Sequence, residues 1–128
     1  MNFEHVAFLV DDPNAMADWY CEHLGMKVMR TGGPPTHMTF LADAAGQTMF
    51  EIYTREDLET PDYASMHPTV LHFAFQSDDV SGDRERLIAA GATAVDEIAV
   101  TDAGDELTML RDPWGVVIQV LKRKEPML

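Results

Sequence analysis

The stretch FEHVAFLVDD, residues 3–12, decides the fold because it returns as VLHFAFQSDD at residues 70–79. The two stretches align without a gap, so that His5 falls on His72, and both end in a pair of aspartates. Similarity continues downstream through matched Asp and Gly positions, with Gly46 matching its counterpart in the turn before the last strand. A sequence that repeats itself in this way is built from two copies of one structural unit.

Each copy predicts a strand, a helix and three further strands. Alternating apolar residues predict a strand at residues 3–10, Asp12 followed by Pro13 predicts the start of a helix, and Gly25 predicts its end. The second copy begins with a strand at 70–75 and has a weaker helix that includes Val80 and Leu87. The other strands are predicted at residues 26–30, 37–41, 48–53, 92–95, 106–111 and 116–121.

The predicted fold class is therefore α+β, with two tandem βαβββ modules. We expect one domain over residues 1–128, with modules at about 1–55 and 69–123 and a linker at about 54–68 that contains two prolines. A chain of this length can bury a core without disulfides. Its single cysteine, Cys21, excludes an internal disulfide and any multi-cysteine metal site.

The net charge and hydropathy of the chain limit which classes of partner and which location are expected. The net charge of −13 repels nucleic-acid phosphates and anionic lipid, so neither is an expected partner. No apolar run approaches the roughly 18 residues needed to span a bilayer, and the first residues carry no signal-peptide pattern. The expected location is the cytoplasm, and the expected partner is a small molecule.

Strand alternation places the polar residues on defined faces. His5 shares its face with Ala7, while the bulky residue Phe8 faces the other way and offers a seat for the helix. The histidine face is then left uncovered by helices and can line a cavity. Glu51 in the first copy and Gln119 in the second lie among apolar neighbours, which is typical of a small-molecule site.

Four residues at matched positions of the two copies suit a metal: His5, Glu51, His72 and Gln119. Each also has an ordinary interpretation, because a strand histidine is usually hydrogen-bonded near the core and the other two can lie on solvated faces. Their repetition, and the cost of burying a carboxylate without compensation, favour a shared site. Two imidazoles, a carboxylate and an amide oxygen suit divalent Fe, Mn, Ni, Co or Zn.

The paired βαβββ units, the histidine in each first strand and the turn DPWG at residues 112–115 together resemble the vicinal oxygen chelate superfamily. That superfamily includes glyoxalase I, extradiol dioxygenases, methylmalonyl-CoA epimerase and the fosfomycin and bleomycin resistance proteins. The resemblance covers nearly the whole chain. It implies a curved mixed sheet around a central cavity, a metal that chelates neighbouring oxygens of a substrate, and a homodimer.

The resemblance also assigns roles. It implies that His5, Glu51, His72 and Gln119 are the metal ligands. Glyoxalase I-like members usually have a glutamate where this chain has Gln119, and there it serves in proton transfer, so Glu51 is expected to be both ligand and catalytic base. The predicted activity is that of a lyase or isomerase that stabilises an enediolate-type intermediate. The alternatives are an extradiol-type dioxygenase and a metal-free binding or resistance protein.

Overall fold

The computed structural model describes residues 1–127. It divides into two compact units, Met1–Pro61 and Asp62–Leu128, called unit 1 and unit 2 below. No helix in the described part of the chain has the length and apolar character needed to cross a membrane.

Unit 1 contains one helix on a four-stranded mixed sheet. Strands β1 and β4 pair in parallel, and the other neighbours pair antiparallel, in the order β1-β4-β3-β2. The elements are β1 (His5–Leu9), α1 (Pro13–Leu24), β2 (Lys27–Thr31), β3 (Thr39–Ala42) and β4 (Met49–Tyr53).

Helix α1 begins and ends where the sequence predicts. The Asp12 carboxylate accepts a hydrogen bond from the backbone N–H of Ala15 at 3.0 Å, and Pro13 occupies the first turn. Gly25 ends the helix with φ of +69°, a conformation that glycine adopts without steric cost. The helix buries Met16 and Tyr20 completely, so its apolar stripe is held against the sheet.

Unit 2 repeats this plan with a broken edge strand. The strand order is β5-β9-β8-β6, with β7 also paired to β8 and with β5 and β9 parallel. Its elements are a 3₁₀ turn at Tyr63–Ser65, β5 (Phe73–Gln76), α2 (Val80–Ala89), β6 (Thr93–Ala94), β7 (Ala99–Val100), β8 (Glu106–Arg111) and β9 (Val117–Lys122).

The broken edge was not predicted, since the sequence indicated one strand at 92–95. Between β6 and β7 the chain leaves the ladder, and the carboxylate of Asp96 takes the place of a backbone acceptor. It accepts from the backbone N–H of Met109 at 2.7 Å and from the hydroxyl of Thr108 at 3.0 Å. The side chain thus satisfies the backbone N–H of Met109, which a continuous edge strand would otherwise pair.

Arg111 of β8 ties the residues before β5 to the sheet of unit 2. Its guanidinium donates to the carbonyl oxygens of Tyr63 at 2.8 Å, Met66 at 2.7 Å and Gly115 at 2.9 Å. Gly115 also packs against this 3₁₀ turn, because a Cβ atom there would lie 2.7 Å from the backbone nitrogen of Ala64. Much of the predicted linker therefore packs as part of unit 2.

The two faces of each sheet differ in burial as the alternation predicts. In unit 1 the face toward α1 includes Leu41 and Ile52, both fully buried. In unit 2 the equivalent face includes Leu110 and Ile118, also fully buried. The opposite faces carry partly exposed side chains, so each unit presents a sheet surface that its own helix does not cover.

Candidate functional site

His5 and Glu51 lie on the uncovered face of unit 1. Glu51 on β4 is the register partner of Ala7 on β1, and His5 is the partner of Met49. Because residues two apart on a strand point to one side, His5, Ala7 and Glu51 share this face. Ala7 has the smallest side chain of the three, which leaves the space between the imidazole and the carboxylate open.

The two side chains converge. Nε2 of His5 lies 3.3 Å from Oε2 of Glu51, with the side chains 33% and 24% exposed. The ring of Phe40 meets the imidazole edge-on, with ring centroids 5.4 Å apart. The pair is therefore supported by an aromatic wall on one side and remains accessible to a ligand.

Glu4 contacts the other nitrogen of the same ring. Its carboxylate is hydrogen-bonded to Nδ1 of His5. This bond is the main cause of a raised pKa for His5; partial burial opposes it, and the negative charges of Glu4 and Glu51 add to it. The imidazole of His5 therefore lies between two carboxylates and favours a positive charge at this position.

Unit 2 places His72 and Gln119 at the matching positions. Gln119 on β9 is the register partner of Ala74 on β5, as Glu51 is of Ala7. His72 is exposed and lies just before β5. Strand β5 begins later than the strand predicted at 70–75, because Val70 still closes a turn by donating to the carbonyl of His67. Within residues 1–127, neither His72 nor Gln119 has a recorded side-chain hydrogen bond or ion pair.

The structure thus brings the predicted ligands together as pairs within each unit. Among the described residues, no three His, Cys, Asp or Glu side chains form a group that could hold a metal ion. The assignment of all four residues to one centre remains a prediction.

The donor chemistry of the unit 1 pair fits a divalent ion. Bonds of about 2.0–2.2 Å from a nitrogen and an oxygen to one ion place the two donors roughly 3.0–3.5 Å apart in octahedral or tetrahedral geometry. The observed separation of 3.3 Å lies in that range. The remaining ring nitrogen is bonded to a carboxylate, which is the usual arrangement around a metal-binding histidine.

Sequence reasoning missed Glu4. Strict alternation assigns residue 4 to the face opposite His5, but β1 begins only at His5, so Glu4 is outside the ladder and its side chain can turn back to the ring. The signal that could have found it is the carboxylate immediately before a candidate ligand histidine.

A cleft of about 380 Å³ lies beside the pair on unit 1. Its lining combines apolar side chains, such as Phe3 and Met49, with the charged residues Glu4, Lys27 and Asp43. Met49 is the register partner of His5, so the cleft begins next to the histidine. Neither His5 nor Glu51 lines the cleft itself.

Two tandem βαβββ modules, each with a histidine near the start of its first strand and a polar residue on the last, define a class of two-module α+β proteins. The chain belongs to the Glyoxalase/Bleomycin resistance protein/Dioxygenase superfamily, whose family model matches residues 2–120. The resemblance inferred from the sequence is thereby confirmed, and so is the fold class.

Solved structures agree on the fold. A glyoxalase family protein from Bacillus cereus superposes with a TM-score of 0.82 at 15% identity, covering 96% of this chain and 94% of that one. An antibiotic binding protein, TnmS3, from Streptomyces sp. CB03234 gives 0.74 at 21% identity, covering 97% of each chain. A glyoxalase I mutant from Zea mays gives 0.77 at 22% identity, covering 97% of this chain and 46% of that one.

The search of curated proteins gives no match. The superfamily includes enzymes such as glyoxalase I as well as binding proteins.

Proposed function

We propose that this protein is a divalent-metal-dependent enzyme that acts on a small substrate with neighbouring oxygen atoms. His5, Glu51, His72 and Gln119 would hold the metal. The observation that carries the proposal is the convergence of Nε2 of His5 and Oε2 of Glu51, 3.3 Å apart on a sheet face that the helix leaves open.

A bound cation would stabilise this convergence when the imidazole is neutral. An ionised carboxylate only accepts hydrogen bonds, and a neutral imidazole presents one bare nitrogen. With the ring proton held toward Glu4, the bare nitrogen is Nε2, and it faces the Glu51 carboxylate. Two electron-pair donors at this distance repel unless a proton or a metal ion lies with them.

The second module supplies neutral donors in the same register. Gln119 pairs with Ala74 as Glu51 pairs with Ala7, and His72 lies two residues before Ala74, just outside β5. An imidazole nitrogen and an amide oxygen are both suitable ligands. A site made of all four would carry one negative charge, which leaves a divalent ion with net positive charge for an anionic substrate oxygen.

Glu51 is the residue placed to move a proton. It is the only carboxylate of the four, and it is partly buried beside Phe40 on the neighbouring strand. A bound divalent ion would supply Lewis-acid stabilisation of negative charge on substrate oxygens. Glu51 would take a proton from a carbon next to such an oxygen and return it, which makes lyase or isomerase activity the proposed reaction class.

A metal-free binding protein is the second candidate. The cleft beside His5 has enough volume for a small organic molecule, and one structural relative is described as an antibiotic binding protein. In that case the cleft, rather than the pair of ligands, would carry the function.

Elemental analysis of protein prepared without affinity tag or chelator separates these candidates. We expect near-stoichiometric divalent metal in the wild-type protein and its loss in His5→Ala. The control is His67→Ala, which removes an exposed histidine whose ring contacts only Thr69 among recorded partners in residues 1–127. Metal content that is unchanged in His5→Ala would overturn the metal proposal.

Protein loaded with the metal that is found is then assayed with three substrate classes. Hemithioacetals of 2-oxoaldehydes and epimerisable thioesters test lyase and isomerase chemistry, and catechols test the dioxygenase alternative. We expect turnover in one of the first two classes and its loss in Glu51→Gln. Ring cleavage of a catechol would instead support the dioxygenase.

A further inference from the structure

The carboxylate of Glu4 is the feature of this site that the four ligands do not explain. Glu4 lies before β1 and is largely exposed, with 65% of its side chain accessible, yet it bonds to Nδ1 of His5. Among residues 1–127 the structure records no other side-chain contact for it. Apart from lining the cleft, its side chain is placed by its contact with this ring.

We propose that Glu4 is a positioning residue that holds His5 in the tautomer with the proton on Nδ1, so that Nε2 is free to bind a cation together with Glu51. The inference rests on the proposed metal function and deepens it, because it assigns to a residue outside the ligand set the control of one ligand's donor atom.

Two carboxylates compete for one ring proton of His5. Neutral His5 has a single N–H, and both Glu4 and Glu51 can accept it, since Glu51 lies 3.3 Å from Nε2. If Glu51 accepted it, Nε2 would have no lone pair for a metal. The hydrogen bond between Nδ1 and Glu4 fixes the proton on the far side of the ring, as carboxylate partners of metal-binding histidines do.

Unit 2 has no carboxylate at the position that matches Glu4. The repeat aligns Glu4 with Leu71, so His72 follows an apolar residue. Gln119 is also neutral, so no carboxylate at the position matching Glu51 competes for the ring proton of His72. Competition between two carboxylates for one ring proton is therefore confined to unit 1.

The first test reads the tautomer directly in metal-free protein. Nitrogen-15 NMR of the histidine rings, carried to the alkaline plateau of the titration where the ring is neutral, separates the Nδ1–H and Nε2–H forms. We expect wild-type His5 to be mainly Nδ1–H and Glu4→Ala to shift it toward Nε2–H, because Glu51 becomes the only acceptor. An unchanged tautomer in Glu4→Ala would overturn the inference.

The second test measures Zn²⁺ affinity by competition with a chromophoric chelator. We expect Glu4→Ala to weaken binding by about 10- to 100-fold, the usual cost of losing such a partner, and Glu4→Gln to weaken it less, because the amide oxygen can still accept from Nδ1–H. The control is Glu59→Ala, which removes the same charge from an exposed residue with no recorded partner in residues 1–127; screening holds its effect to about threefold or less.

The outcomes separate this inference from the proposed function. Tight Zn²⁺ binding that falls in Glu4→Ala but not in Glu59→Ala supports both. Tight binding that falls equally in the two variants, or in neither, overturns the role of Glu4 and leaves the metal proposal standing. Absence of Zn²⁺ binding in the wild-type protein overturns the metal proposal and, with it, the metal-directed role of Glu4, even where the tautomer shifts.

Discussion

The two units build one plan with different charges. In unit 1 the imidazole of His5 lies between the carboxylates of Glu4 and Glu51. In unit 2 the equivalent positions hold Leu71, His72 and Gln119, and none of these is charged at neutral pH when the histidine is neutral. Glu51 and Gln119 have the same register partners in the two units, so at these two positions the difference lies in side-chain chemistry.

This difference suggests a division of labour. Duplication supplies two histidines at equivalent positions, and only one module needs to supply negative charge for a divalent ion and a base for proton transfer. In the proposed site the neutral half would add ligands without adding charge that competes with an anionic substrate oxygen. We therefore expect changes at Glu51 to act on both metal binding and proton transfer, and changes at His72 and Gln119 to act on metal binding alone.

The largest expected effect is a loss of stability on substitution of Gly115, which the repeat aligns with Gly46. Gly115 has φ of +88°, and a Cβ atom there would lie 2.7–2.8 Å from the backbone of Ala64. Gly115→Ala should lower the free energy of unfolding by about 2–5 kcal/mol, since left-handed strain costs about 1–2 kcal/mol and overpacking about 1–3 kcal/mol more. Urea denaturation followed by circular dichroism measures this loss.

Gly46→Ala is the matched control. Gly46 has φ of +69°, but nothing lies within 4 Å of a Cβ atom built there. Only the backbone strain remains, so the expected cost is about 1–2 kcal/mol. Equal losses in the two variants would show that the close approach of Gly115 to Ala64 does not contribute, and that the units differ less than the structure indicates.

Exchanging the carboxylate between units tests the division of labour. Glu51→Gln makes both halves neutral and should weaken Zn²⁺ binding at least about tenfold, or about 1.4 kcal/mol, because ligand charge governs affinity for a divalent ion. Gln119→Glu in the wild-type background should tighten it. The double exchange should recover part of the affinity, and competition titration with a chelator measures all three.

A charge placed elsewhere in unit 2 provides the control for this exchange. Ser81→Glu adds the same charge at an exposed position of α2, on the other side of the sheet. If this variant tightened Zn²⁺ binding as much as Gln119→Glu, the gain would come from the overall charge of the protein, and Gln119 would lose its assignment as a ligand.

The sequence predicted most of the fold because the governing signals are local. Alternation, the cap at Asp12 and the turn at Gly25 act within a few residues, and the structure confirms them. The broken edge strand and the Arg111 contacts could not be predicted in this way. They depend on bonds from Asp96 to Met109 and from Arg111 to three carbonyls, and no local pattern encodes which distant donors need acceptors.

The candidate site was predictable to a similar extent. The period of two places His5 and Glu51 on one face, and the repeat points to His72 and Gln119. Neither signal predicts that a side chain at the strand end, Glu4, turns back to the imidazole. That contact depends on where β1 begins, and strand ends are the least certain part of any sequence pattern.

The smallest expected effect is a loss of stability at a polar contact of unit 2, which stands where unit 1 has two apolar side chains. The positions of Val10 and Met16, both buried in unit 1, are taken in unit 2 by Ser77 and Asp83. The hydroxyl of Ser77 donates to the Asp83 carboxylate at 2.6 Å and accepts from the backbone N–H of Asp79 at 3.0 Å. Ser77→Ala should therefore cost about 0.5–1.5 kcal/mol per net hydrogen bond near neutral pH, measured by urea denaturation.

This loss should depend on pH with a definite sign. Burial raises the pKa of Asp83, but hydrogen bonds from Ser77 and Arg86 outweigh it and leave that pKa below 3.8. A carboxyl whose pKa is lowered by folding stabilises the protein above its unfolded pKa and loses that contribution as the pH falls through its folded pKa. The difference between wild type and Ser77→Ala should be constant near neutral pH and shrink below pH 3.8. Ser81→Ala, which changes an exposed serine of α2, should show no such dependence; a pH-independent gap for Ser77→Ala would instead assign the loss to the Asp79 contact.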